Sequence, residues 1–284
     1  MESMSNVPYY LSKARSGFKY GNQECFDGIL LDGLWDKKYQ MHMGECAEST
    51  AVKYGITREQ QDRYAIRSYR NAKKAWEVIA INEFKLNGTF QNEVTPVEIN
   101  LKGKKHLLQE DEEYKKVNFE KISTLRPAFK ENGTITAANA STLNDGASAV
   151  ILASYAKIKE LNLSPVARII GYADAERDPK EFSISPSDSI EKALRFVKKD
   201  ISDISLFEIN EAFSVVACAN QKILGIGQDK LNIAGGGVSL GHPIGSSGCR
   251  ILVTLINLLK CNEFGCASIC NGGGGSTSII VQKL

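Results

Sequence analysis

Three side chains capable of proton or acyl chemistry stand beside glycine-rich stretches. Cys270 opens the run Cys270-Asn271-Gly272-Gly273-Gly274-Gly275. His242 lies in Gly241-His242-Pro243, at the end of a loop that begins with Gly235-Gly236-Gly237. Asn210 follows the apolar run Leu206-Phe207-Glu208-Ile209. A thiol with a lowered pKa is a nucleophile or a proton donor and acceptor. An imidazole is a general base, or a hydrogen-bond donor to a developing oxyanion. A carboxamide can hold a water or orient the imidazole. Each residue alone has an ordinary explanation: a core cysteine, a satisfied histidine, a turn-forming asparagine. Together, with glycines around two of the three, they favour a site. Four consecutive glycines cost much chain entropy on folding, and a chain keeps them where a side chain would obstruct a ligand or another strand. A flexible tail is the alternative, but Ser278-Ile279-Ile280-Val281 reads as a buried strand beyond the glycines.

The glycines do not make a nucleotide motif. No Gly-Lys-Ser/Thr follows Gly237, and the G-x-G-x-x-G pattern with an acidic residue on a following strand is missing.

The elements that must position these residues alternate from Pro165 onward, as in an α/β layer structure. Residues 166–173 read as a strand, and Ser187 as the cap of a helix to about Lys198. Residues 206–209 read as a strand ending at Asn210. Residues 211–224 read as a helix with Ala212, Phe213, Val216, Ala219 and Ile223 on one face. Residues 231–234 read as a strand entering the glycine loop, 251–259 as an apolar helix, and 267–270 and 276–281 as a hairpin-like pair of strands. Asn210, His242 and Cys270 all follow strand signals, which points to one carboxyl-terminal edge of the sheet.

Upstream, residues 1 to about 45 have weak periodicity and turn signals at Ser16-Gly17 and Asp32-Gly33. Thr57 and Gln60 form a capping box for a helix with Ala65, Tyr69, Ala72, Trp76 and Ile79 at helical spacing. Residues 94–108 read as extended chain around a Lys-Gly-Lys turn, and 110–130 as a charged loop. Residues 134–142 are small-residue chain, Asn144-Asp145-Gly146 a turn, 149–153 a buried strand and 155–162 a short helix.

The 284 residues suffice for one large domain or two smaller ones. A hydrophobic content of 43% and a charged content of 24% are ordinary for a globular protein, and a net charge of +2 gives no reason to invoke nucleic acid or a membrane surface. No run of 18 apolar residues occurs. Residues 102–105 and 115–116 are basic clusters that read as solvated loops. The seven cysteines fit neither a zinc pattern nor a disulfide framework and read mostly as small buried hydrophobes in a reducing compartment. The opening Met1-Glu2-Ser3-Met4 has no apolar segment of the kind a signal peptide needs.

Asn210-Glu211-Ala212-Phe213, Gly241-His242-Pro243 and the terminal Cys270-x-Gly-Gly run resemble the three sequence blocks of the thiolase family. Met41-His42-Met43-Gly44 and Thr136-Ala137-Ala138-Asn139-Ala140-Ser141 with Asn144-Asp145-Gly146 are similar to it too. The resemblance covers almost the whole chain. Asp111-Glu112-Glu113-Tyr114 and the segment 268–275 look closest to the family's mitochondrial short-chain members. It implies an α/β thiolase fold, divided into a remnant of an N-terminal core domain (1–10), a CoA-binding loop domain (11–142), the last part of the N-terminal core (143–162) and a complete C-terminal core domain of βαβαβ type (163–284). It implies a reversible condensation of two acetyl-CoA to acetoacetyl-CoA and CoA, as in fatty-acid β-oxidation, ketone-body metabolism and isoleucine degradation. Cys270 would be the acid/base cysteine. His242 would activate a nucleophilic cysteine and line an oxyanion hole, and Asn210 would hold the water of the other. CoA contacts carry over to Tyr69, Lys116, Val117, Asn118, Lys121 and Ser141, with His42 and Met43 near the acyl-pantetheine end. A potassium site carries over to Tyr69, Ala137, Ala138, Ala140 and Val238, mostly through carbonyls. The resemblance further implies a homo-oligomer, a dimer of dimers at full length, and a mitochondrial location, with a cytoplasmic one as the alternative.

The chain departs from the family in two respects. Gly237 stands where relatives often carry alanine. Met1-Glu2-Ser3-Met4-Ser5 matches the middle of a family block, downstream of the nucleophilic cysteine, and Cys25 (in a loop) and Cys46 do not replace it. The expectation is therefore that the chain as written does not catalyse thiolysis, and that the apolar strand at 149–153 lacks sheet neighbours and favours aggregation. The competing reading is a non-catalytic form that binds CoA or a full-length subunit. A ketoacyl-synthase relative is disfavoured by Cys270, where such enzymes usually carry histidine.

Overall fold

The computed structural model of the chain describes residues 1–77, 79–81, 84–86 and 88–284. Its first third is built from short two-stranded ribbons. β1 (Glu2–Ser3) is followed by β2 (Tyr9–Leu11), which pairs antiparallel with β3 (Cys25–Asp27), so Cys25 stands exposed on a strand rather than in the expected loop. β4 (Trp35–Asp36) pairs with β5 (Met41–His42). α1 (Met43–Tyr54) starts at once, with His42 as its N-cap. α2 (Arg58–Trp76) has the Thr57–Gln60 capping box expected from sequence. It ends three residues earlier than the periodicity suggests: Glu77 is extended, and Ile79 belongs to β6 (Ile79–Ile81), paired with β7 (Phe84–Leu86).

β8 (Val97–Leu101) and β9 (Lys104–Leu108) form the expected hairpin, turning at Lys102 and Gly103 with φ of 51° and 80°. The charged segment after it contains α3 (Glu113–Lys116) and a 3-10 turn over Phe119–Thr124. Asp145 and Gly146, expected as a turn, form β10 (Asp145–Gly146) and pair with β1. Residues 149–153 are not a strand and are not buried: Ile151 is 96% exposed and Leu152 73%. No strand lies beside them among the described residues, and a lone apolar segment has nothing to pair with. α4 (Tyr155–Glu160) follows as expected.

The alternating region gives β11 (Ala167–Glu176), α5 (Ser185–Val197), β12 (Ile204–Ile209), α6 (Ser214–Leu224), α7 (Gly237–Leu240), α8 (Ile244–Leu258), β13 (Phe264–Cys270) and β14 (Gly275–Lys283). The sheet order is β11-β14-β13-β12. β14 is antiparallel to both neighbours, and β13 is parallel to β12. Side chains alternate between faces along each strand. Phe207, Ile209, Cys266, Cys270 and Ile280 join the core with α5 and α6, while Leu206, Ala267, Ile269, Ile279 and Val281 pack with Ile251, Leu255 and Leu259 at α8. The sheet is thus a layer between helices, the α/β arrangement of the sequence reading.

Four boundaries differ for local reasons. α5 starts two residues before Ser187, with Pro186 in its first turn, and the Ser187 hydroxyl instead donates to Asn220 Oδ1 at 2.6 Å. α6 starts at Ser214, because Ala212 and Phe213 are held in extended chain against residues 139–141. Residues 231–234 make only isolated bridges. Asn232, at φ 48°, leaves the strand conformation, and its amide takes the place of a paired strand: Oδ1 accepts from Ile209 N at 2.9 Å and Nδ2 donates to Ile209 O at 2.8 Å. α8 begins right after Pro243, through a polar first turn that apolar periodicity does not register.

Candidate active site

The parallel neighbours β12 and β13 end side by side. Ile209 pairs with Ser268, and Asn210 N donates to Ser268 O at 2.9 Å. Asn210 therefore leaves the sheet at the edge where Cys270 ends β13. His242 reaches the same edge from the loop between α7 and α8. Its backbone N donates to Thr142 O at 3.1 Å, and its Nε2 lies 3.3 Å from Asn210 Nδ2.

The hydrogen bonds define the state of the imidazole. Ser247 Oγ lies 2.6 Å from His242 Nδ1 and donates to Pro243 O at 3.0 Å. With its only proton used there, Ser247 accepts from Nδ1–H, which leaves Nε2 as the acceptor of the Asn210 amide. Burial, reinforced by the charge of Arg250, lowers the His242 pKa to about 4. The ring is neutral at pH 7, with its basic nitrogen turned to Asn210. Asn210 itself is buried, and its Oδ1 has no protein partner. A buried, unpaired carbonyl oxygen of this kind is where a water or a ligand donor belongs.

Cys270 is buried and its pKa is pushed up to about 12 by desolvation. It is a neutral thiol at pH 7. The glycines after it form a tight return into β14: Asn271 N donates to Gly275 O at 2.9 Å, and Gly273 and Gly274 have φ of 93° and 99°. A Cβ at Gly274 would meet Arg177 O at 2.2 Å, and one at Gly272 would meet Met43 Sδ at 3.2 Å. Close approach explains this run of glycines, and it brings the start of α1 to the Cys270 loop.

The residues expected near the acyl end gather here. His42 caps α1 by accepting from Gly44 N at 2.9 Å and stacks on Phe129 at 4.6 Å, and Phe129 meets Phe213 edge-on. Burial lowers the His42 pKa. Ser141 N and Oγ both donate to Ala212 O, at 3.1 and 2.8 Å. Segment 139–142 thus bridges the Asn210 block to His242.

Further out, Tyr69, Val117 and Val238 share one small core cluster with Ala65 and Tyr114. Burial raises the Tyr69 pKa to about 12. Ala138 and Ala140 are buried and Ala137 is exposed. Lys116 is exposed and paired with Glu113 at 2.6 Å and Glu112 at 3.5 Å. Asn118 Oδ1 accepts from Glu120 N and starts the 3-10 turn that holds Lys121. Tyr69 thus lies on α2, Lys116 on α3, Asn118 and Lys121 at the following turn, Val238 on α7, and Ala137, Ala138 and Ala140 in the segment before Ser141.

Two features escaped the sequence reading. Glu211, fully buried, gathers Tyr64 Oη (2.7 Å), Ser68 Oγ (2.7 Å), Asn232 Nδ2 (3.0 Å) and Val238 N (3.1 Å) on one carboxylate. It ties α2, the 231–234 segment and α7 together, directly beside Asn210. It also explains the crowding at Gly237, where a Cβ would meet Glu211 O at 2.8 Å. The second feature is Glu208, buried one face away, with its pKa raised to about 8 by burial. No spacing rule marks either residue: the donors to Glu211 are distant in sequence, and Glu208 has an unpartnered Oε2.

A neutral buried imidazole, an orphaned amide oxygen and a buried thiol thus meet at the ends of paired parallel strands, and comparison with known proteins gives the family. The thiolase N-terminal domain matches residues 1–156 and the thiolase C-terminal domain residues 163–283, so the chain belongs to the thiolase family. It is 55% identical over its whole length to a probable acetyl-CoA acetyltransferase of Dictyostelium discoideum, covering 67% of that protein, and 51% identical to the mitochondrial acetyl-CoA acetyltransferase of Rattus norvegicus, covering 65%. The chain spans about two thirds of the length of these relatives. Among solved structures it is similar to the Acat5 thiolase of Ascaris suum in complex with coenzyme A (42% identity, TM-score 0.89) and the acetyl-CoA acetyltransferase of Bacillus anthracis (40%, TM-score 0.93), covering all of this chain and 70% of each of those chains.

Proposed function

We propose that the chain acts in an acetyl-CoA C-acetyltransferase, which joins two acetyl-CoA into acetoacetyl-CoA and CoA and also runs the reverse cleavage. The observation that carries this reading is the Asn210–His242 pair at the sheet edge that ends in Cys270. The Asn210 Oδ1 orphan positions a water, and that water donates to the thioester oxygen as the enolate forms. Fixed donors of this kind stabilise the transition state by about 3 kcal/mol each. In the cleavage direction the protonated Cys270 thiol delivers its proton to the departing carbanion. In the condensation direction its thiolate removes the methyl proton, and the high pKa makes it a strong base once formed.

CoA lies along Tyr69, Lys116, Val117, Asn118, Lys121 and Ser141, with His42 and Met43 at the pantetheine end. The solved CoA complex of a family member supports this class of ligand. Lys121 has no ion pair among the described residues and is free to meet a phosphate, whereas Lys116 must share its charge with Glu113. A potassium ion would suit the neutral hydroxyl of Tyr69 with the carbonyls of Ala137, Ala138, Ala140 and Val238, and would supply positive charge beside the CoA path. A mitochondrial location accords with the mitochondrial relatives, and assembly as a homo-oligomer belongs to the same reading.

The acyl-enzyme step needs a reactive thiol, and neither upstream cysteine suits it. Cys46 is buried in α1 with its pKa pushed up to about 11, and Cys25 is exposed on the β2–β3 ribbon. We therefore propose that these 284 residues bind CoA without turning over, the second reading being a binding role toward CoA or a full-length subunit. The test is acetoacetyl-CoA thiolysis by the purified chain, alongside CoA binding by calorimetry. Binding without thiolysis is the expected outcome, and robust thiolysis contradicts the missing-nucleophile reading.

A further inference from the structure

One side of α2 carries Arg63, Arg67, Arg70 and Lys74, at steps of four, three and four residues. With Lys222 of α6 they line a groove of about 860 Å³ whose floor includes Cys218. None of its lining residues is acidic. Glu59 stands one turn before Arg63, Asp62 is taken by Arg58, Glu77 beyond the far end of the row pairs with Lys73, and the oxygens of Glu211 already take four donors. Arg63, Arg70 and Lys74 make no ion pair among the described residues, and the Arg70 guanidinium lies over the Phe119 ring at 5.6 Å. Arg67 is held in place: Nη1 donates to Gln228 O at 2.6 Å, Nη2 to Leu231 O at 3.3 Å, and the guanidinium lies over the Tyr64 ring at 4.8 Å.

Like charges one turn apart repel, and a solvated face normally intersperses acids to offset them. Here the row runs about 16 Å along the helix from Arg63 to Lys74, Glu59 meets it only at its start, and no acid lines the concavity it borders. Arginine forks match phosphate oxygens in pairs. The amides of Gln60, Asn71 and Gln221 line the same groove. Gln60 Oε1 accepts from Thr57 N, Asn71 Nδ2 donates to Asn232 O and Gln221 Nε2 donates to Ile226 O, which leaves Gln60 Nε2 and the Asn71 and Gln221 oxygens for ribose and base edges. We propose that this groove binds an adenosine polyphosphate, with the phosphates on Arg63, Arg67 and Arg70 and the nucleoside against the amide side chains. The inference does not rest on the acyl-transfer reading, since the groove shares no residue with the Asn210–His242–Cys270 edge.

The test is calorimetric titration of the intact protein with ATP at low and moderate salt, repeated on Arg63→Gln/Lys74→Gln and on the remote Lys157→Gln control. Both replaced side chains of the double variant are exposed, so it is expected to fold. Saturable ATP binding is expected, weakened about tenfold by the double variant and by added salt, and unchanged in the control. CoA then separates the source of the ligand. ATP binding that persists at saturating CoA assigns the groove to a free nucleotide, and competition lost in the double variant assigns it to the phosphorylated ADP end of CoA. Absence of saturable ATP binding overturns the proposal. So does an unchanged affinity in the double variant, or equally tight binding of polyglutamate, which would show that the groove reads charge alone.

Discussion

Replacing Tyr64 with phenylalanine removes one hydroxyl from the centre of the polar network that sets the Asn210–His242 geometry. Tyr64 is buried, donates to Glu211 Oε1 at 2.7 Å and accepts from Asn232 Nδ2 at 2.8 Å. The ring stays, so no cavity larger than the oxygen opens. A hydrogen bond to a carboxylate contributes about 1.5–3 kcal/mol, and Glu211 Oε1 is left with the Asn232 amide alone at 3.0 Å. The expected loss is about 2 kcal/mol. At roughly 2–4 °C per kcal/mol for a chain of this size, the midpoint of thermal unfolding falls by about 4–8 °C. Differential scanning calorimetry of the two proteins at one pH and salt measures it. Ser68→Ala removes the donor to the other oxygen, Oε2, and the two effects should not add, because they share one carboxylate. A midpoint within about 1 °C of the parent would refute the argument that Glu211 is a clamp holding α2, Asn232 and α7 together.

Two further outcomes concern buried titrating groups. With a folded pKa of about 4 against an ordinary value of 6.5, His242 stays neutral in the folded protein while it protonates in the unfolded chain, so its contribution to stability is lost as pH falls from 6.5 to 4. Proton NMR of the imidazole should show a His242 midpoint well below 6; a midpoint at 6.5 would mean the ring is solvated and the Ser247–Asn210 network is not formed. Glu208 has the opposite sign: its folded pKa of about 8 against 4.5 means that stability falls as pH rises from 4.5 through 8. Glu208→Gln should therefore gain stability relative to the parent above pH 8, by urea unfolding at several pH values, and a constant difference between pH 5 and 9 would contradict the raised pKa.

Where local chemistry decides structure, the sequence was a good guide. The Thr57–Gln60 box starts α2, Asn210 ends β12, and the apolar residues after the glycines make β14. The errors cluster where a distant partner overrides local preference. Asn232 looks like part of a strand until its side chain is seen pairing with Ile209, and Ala212 and Phe213 have helical spacing but are pinned by Ser141 and Ala140. Residues 149–153 have strand composition, yet without a neighbour to pair with they remain irregular and exposed. Of the candidate residues, His242 and Cys270 stand out in the sequence by their glycines and Asn210 by its place at the end of a strand. The clamp at Glu211 does not, because its donors come from α2, Asn232 and α7, and only folding brings those together.

The central claim is that Cys270 exchanges a proton with the methyl group of a bound acetyl thioester, with Asn210 and His242 at the same edge. Mass spectrometry of acetyl-CoA incubated with the protein in deuterium oxide tests it without any need for an acyl-enzyme. Because the thiol pKa is about 12, deuterium uptake should be slow near neutrality, rise with pH through at least pH 9, and vanish in Cys270→Ala while acetyl-CoA binding persists. Uptake that is unaffected by Cys270→Ala, or no uptake by the parent protein with acetyl-CoA demonstrably bound, would contradict the account.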